Sequence, residues 1–150
     1  MRKLSVLILS LTLIACSSDE SNVPDQPPEA PAKIADDQYI TAANGLKHHD
    51  LTIGTGVEAQ EGKQVTVHYT GWLTTGKIFD SSIAKKRPFS LTLGSGQVIK
   101  GWDEGIVGMQ VGGHRQLAIP PNLAYGPDGY AGVIPSNATL IFEIYLIEVK

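Results

Sequence analysis

A chain of 150 residues, 42% hydrophobic and 18% charged, has the length and polarity of one soluble globular domain. Its formal net charge of -3, from 12 basic and 15 acidic residues, argues against nucleic acid as a partner, because phosphate binding needs a clustered basic face. A single cysteine excludes a disulfide framework, so the domain must stand on its core.

The chain opens with Arg2 and Lys3, followed by an apolar run from Leu4 to Ile14. That run is too short to span a bilayer comfortably, since a transmembrane helix wants about 20 apolar residues. Leu13-Ile14-Ala15-Cys16 resembles a bacterial lipobox. Residues 1–15 are then a lipoprotein signal peptide, and Cys16 is lipidated as the first mature residue. The plainer alternative is an ordinary signal peptide or uncleaved anchor, with Cys16 a bystander. Ser17 after the cysteine resembles an outer-membrane sorting signal, which places the protein in the cell envelope, facing the periplasm. Residues 16–39 are rich in serine and proline and lack apolar periodicity, which predicts a disordered tether. The folded domain is expected over 40–150.

Within it, Val65-Thr66-Val67-His68-Tyr69 and Phe89-Ser90-Leu91-Thr92-Leu93 alternate at the strand period of two. Arg115 to Ile119 reads as another strand. Thr139 to Val149 is apolar on both faces for much of its length and belongs at the centre of a sheet. One helix is predicted, roughly Gln97 to Ile106, with Val98, Ile99, Trp102 and Ile106 on one face. Gly101 and Gly105 are poor helix formers, at about 1 kcal/mol each relative to Ala, so packing must hold this helix. Without alternating βα units the fold class is α+β. The Lys85-Lys86-Arg87 run reads as a solvated loop.

The chemistry-bearing residues cluster in Val67-His68-Tyr69-Thr70-Gly71-Trp72, Phe79-Asp80-Ser81-Ser82 and Val98-Ile99-Lys100-Gly101-Trp102. They gather apolar rings around one carboxylate, with no nucleophile elbow and no metal-ligand cluster. His48, His49, His68 and His114 complete no ligand set, and neither metal nor cofactor is expected. Ser81 and Ser82 read as local hydrogen-bonding groups.

These segments, with Pro88-Phe89, Ala124-Tyr125-Gly126 and Ile134-Pro135 through Phe142, stand in an order that resembles the FKBP family, the macrolide-binding peptidyl-prolyl cis–trans isomerases. The resemblance runs from Gly45 to Lys150. It implies an antiparallel five- to six-stranded sheet wrapped around one short helix. It also implies a pocket floored by Trp102 and walled by Tyr69, Phe79, Phe89, Val98, Ile99 and Phe142, with Tyr130 and Ile134 contributing from the flap. The Ile99 N–H and the Tyr125 hydroxyl would hold substrate carbonyls, and Asp80, steadied by Tyr69, would face the rotating group. Each aromatic taken alone reads as core; the ordered set reverses that reading.

The implied partners are proline-containing segments of unfolded or folding proteins, with macrolides such as rapamycin as inhibitors. Membrane contact would come through the lipid anchor only. No long helical dimerisation segment is present, so a monomer is expected. Three positions depart from familiar members: Tyr130 where a histidine is common, Leu123 for an aromatic, and Lys85 for an arginine. A binding module with little turnover, or an envelope adaptor, are the alternatives to an isomerase.

Overall fold

A computed structural model describes residues 22–150. The segment expected to be a signal peptide, and Cys16, lie outside the described residues. Seven strands form one antiparallel sheet: β1 (Ile40–Thr41), β2 (Lys47–Thr52), β3 (Gln64–Leu73), β4 (Ile78–Ser81), β5 (Phe89–Thr92), β6 (His114–Ile119) and β7 (Leu140–Val149). The order is β1-β2-β6-β7-β3-β4, and β5 pairs with the first part of β3. The count exceeds the five or six expected because the two-residue β1 extends one edge and β3 is long enough to pair β5 and β4 in succession. Central β7, flanked by β6 and β3, agrees with its apolar sequence.

The single helix, α1 (Lys100–Gly105), is shorter than the predicted Gln97–Ile106. Its start is set by side chains. Gln97 Oε1 accepts the Thr92 N–H at 2.8 Å, and the Asp103 carboxylate accepts the N–H groups of Gly94 and Gly96 at 2.9 and 3.1 Å. These bonds favour a turn over a further helical turn.

Gly101 and Gly105 are explained by close approach to β6. A Cβ on Gly101 would lie 2.4 Å from Ile119 Cγ2, and one on Gly105 would lie 2.7 Å from Leu117 Cδ1. Arg115 fastens the far end of α1. It is buried, donates to both Asp50 oxygens at 2.6 and 3.1 Å, and gives its remaining nitrogen to the carbonyls of Gly105 and Val107. A guanidinium at a helix C-terminus also meets the negative end of the helix dipole.

The core between α1 and the sheet takes the inward residues of the strands, among them Val65, Val67, Leu117, Ile119, Phe142, Ile144 and Leu146. Trp72 and Tyr145 are equally buried yet belong to no part of that cluster. Alternation puts them on the opposite, outer face of the sheet, and the segment that crosses this face is the presumed tether.

Residues 22–39 are therefore corrected from a disordered tether to a docked strap. Ala32 donates its N–H to Glu143 Oε1 at 2.6 Å and accepts from Gln116 Nε2 at 2.8 Å. The Tyr39 hydroxyl donates to Gln116 Oε1, and its ring meets His49 edge-on at 6.3 Å. A 3₁₀ turn, Asp36–Gln38, leads into β1. Pro24, Pro27, Pro28, Pro31 and Ile34 are half-buried while most of their neighbours are exposed. That is near the three-residue repeat of an extended proline-rich chain laying one side down.

Glu143 and Gln116 are buried polar groups, and the strap supplies the partners that such groups require. Burial works to raise the Glu143 carboxyl's pKa. Hydrogen bonds from His114, Ala32 and Gln116, with the His114 charge, outweigh it and hold the group below the usual glutamate range.

Candidate active site

The inner face of the sheet opens into a cleft of about 290 Å³ lined by Tyr69, Phe79, Asp80, Phe89, Gln97, Val98, Ile99, Trp102, Tyr125 and Phe142. Five elements converge to build it. Strand β3 supplies Tyr69, β4 supplies Phe79 and Asp80, β5 supplies Phe89, β7 supplies Phe142, and the start of α1 supplies Ile99 and Trp102. The register of β3 and β4 shifts between Gly71 and Trp72. Such an irregularity re-aims side chains, and both Phe79 and Asp80 reach the same cleft.

Trp102 lies beneath the other rings, buried and edge-on to Tyr69 (4.9 Å), Phe142 (5.2 Å) and Phe89 (6.1 Å). Phe79 meets Phe142 at 5.4 Å and 88°. Interlocked edge-to-face rings are each worth about 0.5–1.5 kcal/mol beyond their buried area, so the box is rigid without a ligand. Gly71 makes room for it. A Cβ there would sit 2.7 Å from both Phe79 and Phe142.

One wall is polar. The Tyr69 hydroxyl donates to Asp80 Oδ2 at 2.6 Å, and Lys85 Nζ reaches Oδ1 at 2.6 Å. Burial alone would raise the pKa of Asp80, but the bonds from Lys85 and Tyr69, the lysine charge and the Ser81 N–H hold it below the usual aspartate range. Asp80 is thus a carboxylate at neutral pH. Burial and the bond to Asp80 push the Tyr69 phenol well up. Burial, with the charges of Asp80 and Tyr130, raises Tyr125 as well. Both phenols stay protonated and can donate.

Ile99 has an extended backbone (φ -56°, ψ 147°) just ahead of α1. Its carbonyl accepts from Trp102 and Asp103, while its N–H donates to no partner among the described residues. A backbone donor is thus held at the cleft by the helix start.

The structure gathers nine of the eleven sequence-predicted substrate-binding residues in this cleft. Ile134 is not among the lining residues; it is buried in the hydrophobic core, as Trp102 and Phe142 are, and its carbonyl and N–H pair with Tyr130 and shape the flap. Tyr130 stands outside the lining, 59% exposed, with its ring 5.8 Å from that of Tyr125. It borders the rim and leaves the cleft itself to Tyr125. Gln97 was missed. Its position beside Val98 and Ile99 was the available signal, but a polar residue at a predicted helix start reads as solvated.

Ser81 and Ser82 bond to Thr70, His68 and the backbone of Tyr69 and Ala84, fixing the β3–β4 ladder rather than any reacting group. No cluster of metal-ligating side chains occurs among the described residues.

A cleft of aromatic walls with one carboxylate, two phenols and a free amide has counterparts of known kind. The model of the FKBP-type peptidyl-prolyl cis-trans isomerase family matches residues 56–147. An FK506-binding protein of Neisseria meningitidis serogroup B is 57% identical over 105 residues, covering 70% of this chain and 96% of that protein. This chain belongs to the FKBP family. FK506-binding protein 1A of Neurospora crassa is 53% identical over 112 residues, 74% of this chain and 93% of its own.

Among solved structures, AtFKBP13 superposes with a TM-score of 0.70 at 39% identity, over 75% of this chain and 98% of that one. FkpA from Escherichia coli gives the same score and identity over 75% of this chain and 52% of its own. The protein is a peptidyl-prolyl cis-trans isomerase. FKBPs bind proline-containing peptides and FK506-type macrolides in general.

Proposed function

We propose that this FKBP-type isomerase is a monomer anchored to the cell envelope through a lipid on Cys16, and that it turns prolyl bonds of folding proteins by a non-covalent route. The observation that carries the chemical part is the pairing of an apolar, ring-lined cleft with an ionised Asp80 held by Tyr69 and Lys85. The anchor rests on the lipobox around the single cysteine.

Rotation about a peptide bond faces a barrier of about 18–20 kcal/mol, because twisting breaks amide resonance. The two prolyl isomers differ by only about 0.5–1 kcal/mol, so the catalyst lowers the barrier and leaves the balance alone. In the planar amide, resonance makes the carbonyl polar; twisting removes part of that polarity. A dry cleft penalises the planar form more than the twisted one, which is differential transition-state binding. The proline ring lies over Trp102 between Phe142 and Tyr69. The Ile99 N–H and the Tyr125 hydroxyl hold flanking carbonyls. Asp80 orients and stabilises the rotating group by charge. It is no general base, because no proton moves. A millionfold acceleration asks for about 8 kcal/mol, which desolvation, ring contacts and a few hydrogen bonds supply together.

NMR exchange spectroscopy on an Xaa-Pro peptide tests the catalytic roles. The protein speeds exchange, rapamycin blocks it, and Asp80→Ala slows it with the circular dichroism spectrum intact. Peptide binding with no faster exchange would reduce the protein to a binding module. For the anchor, mass spectrometry of the mature N-terminus decides: an unmodified Cys16 removes it.

A further inference from the structure

The strap fixes where the chain leaves the domain. At its start, Asn22 and Val23 line a cavity together with Thr52, Ile53, Gly54, Thr55, Gly56, Val111 and Ile147. The loop from Ile53 to Val57, which follows β2, carries no charged side chain. Its Ile53 is 74% exposed and its Val57 64% exposed, the two most exposed large aliphatic residues of the described domain beside Ile40. The loop's backbone is paired with Val111, but its two aliphatic side chains stay largely in water among the described residues, and the loop lies at the mouth of the chain's exit.

The length of chain beyond this point selects the occupant. Six residue steps separate Cys16 from Asn22, no more than about 20 Å when fully extended. Crossing the headgroup layer of one leaflet takes roughly 5–8 Å of that. The remainder is shorter than the roughly 30 Å width of a small domain. Had residues 22–39 been a free tether, every face of the domain would reach the bilayer equally. With the strap pinned by Glu143, Gln116 and Tyr39, the end bearing Ile53 and Val57 is the one held against it.

We infer that the Ile53–Val57 loop is a bilayer-contacting surface, inserting Ile53 and Val57 among the lipid headgroups and fixing the domain's orientation. This rests on the reading of Cys16 as the lipid anchor. The active cleft then points away. Phe142, in the cleft, lies near the start of β7, and Leu146 and Ile147, at the exit cavity, lie near its end. At about 3.3 Å per residue they are some 13 Å apart along one strand. Tyr125 and the flap from Gly126 to Ile134 thus face the aqueous space, which suits segments of soluble or emerging proteins rather than lipid-embedded ones.

The test separates the orientation from the lipidation. The chain from Cys16 onward keeps every described residue and has one thiol, which couples it to vesicles of phosphatidylcholine with a maleimide-bearing lipid. Headgroup nitroxide lipids then broaden methyl resonances by proximity. Ile53 and Val57 should show at least about fivefold greater relaxation enhancement than the exposed flap residue Val133. In the Ile53→Ser/Val57→Ser double variant, the enhancement at the strap residue Val23 should fall at least about twofold. Catalysed exchange of a soluble peptide should be unchanged, since neither residue touches the cleft. Equal broadening of Ile53, Val57 and Val133, or strongest broadening at Val133, overturns the orientation. Mass spectrometry of the cellular product judges Cys16 lipidation separately, so the two readings can fail independently.

Discussion

Replacing Gly71 by alanine is the most direct test of the cleft as a rigid, preformed box. The backbone of Gly71 is ordinary extended strand, so the change introduces no conformational strain of its own; the new methyl acts only by contact. It would lie 2.7 Å from Phe142 Cε1, 2.7 Å from Phe79 Cζ and 3.0 Å from Phe142 Cδ1. Carbon atoms prefer about 3.5–4.0 Å, so both rings must retreat by about 1 Å. Phe142 has little freedom, being 4% exposed and wedged between Trp102 at 5.2 Å and Phe79 at 5.4 Å. Phe79 reaches the surface and should yield first.

Overpacking of this kind costs about 1–3 kcal/mol, which lowers the urea midpoint by about 1 M at an m-value near 2 kcal/mol/M. A misplacement of about 1 Å at a catalytic site can cost about 100-fold in rate, so peptide exchange should slow by about 10- to 100-fold. Trimming Phe79 to leucine in the alanine background should restore stability, giving a coupling of at least about 0.5 kcal/mol in a double-mutant cycle. An unchanged midpoint together with wild-type exchange would refute the reasoning, because it would mean that the rings move aside freely.

Three further outcomes follow from other contacts. Arg115→Ala strands the Asp50 carboxylate and two helix-end carbonyls; breaking such a buried pair costs about 3–5 kcal/mol, and urea unfolding should show a loss near the lower figure because Asp50 keeps some contact with water. Tyr69→Phe removes the 2.6 Å bond to Asp80 while leaving Lys85 in place, and exchange spectroscopy should show turnover lowered by roughly tenfold, about 1.4 kcal/mol, with the fold retained. The Glu143 carboxyl has a depressed pKa in the folded state, so its contribution to strap docking is fully present above the ordinary value of 4.5 and is lost as pH falls through the lower folded value. Hydrogen exchange at the Ala32 amide, corrected for its intrinsic pH dependence, should therefore lose protection as pH is lowered below 4.5 before the β3 and β7 amides do; loss at Ala32 only together with those strand amides would show that the carboxylate charge does not hold the strap.

Most of the cleft was legible in the sequence because its residues sit in short runs whose local pattern is distinctive. Tyr69 and Ile99 with Trp102 fall within a strand or helix signal, whereas Phe79 with Asp80 carried no strand signal and stood on the motif order that resembles the FKBP family, β4 being only four residues long. At Ile134 the local pattern is silent: an aliphatic residue in a flap gives no sign of which side it turns, and here its pairing with Tyr130 accompanies burial in the core. The helix was overextended because Gln97 and Asp103 look like helical polar residues, whereas their side chains are spent on the backbone of Thr92, Gly94 and Gly96.

The strap shows where sequence reading stops. Its composition, proline-rich and without a period of two or 3.6, signals an inability to fold alone, and that is a correct statement about the segment in isolation. What docks it are a glutamate and a glutamine 111 and 84 residues away from Ala32, which no local pattern connects to it. The amino-acid order by itself determined β3, β5, β6 and β7 and the presence of one helix, since period is a local property, and the ordered motifs that resemble the FKBP family named the residues that meet around Asp80; β1, β2 and β4 gave no alternation long enough to read. Only the tertiary structure decided that the outer face of the sheet is covered, that Glu143 and Gln116 are buried partners rather than surface groups, and from which end the chain departs, because those depend on contacts between segments far apart along the backbone.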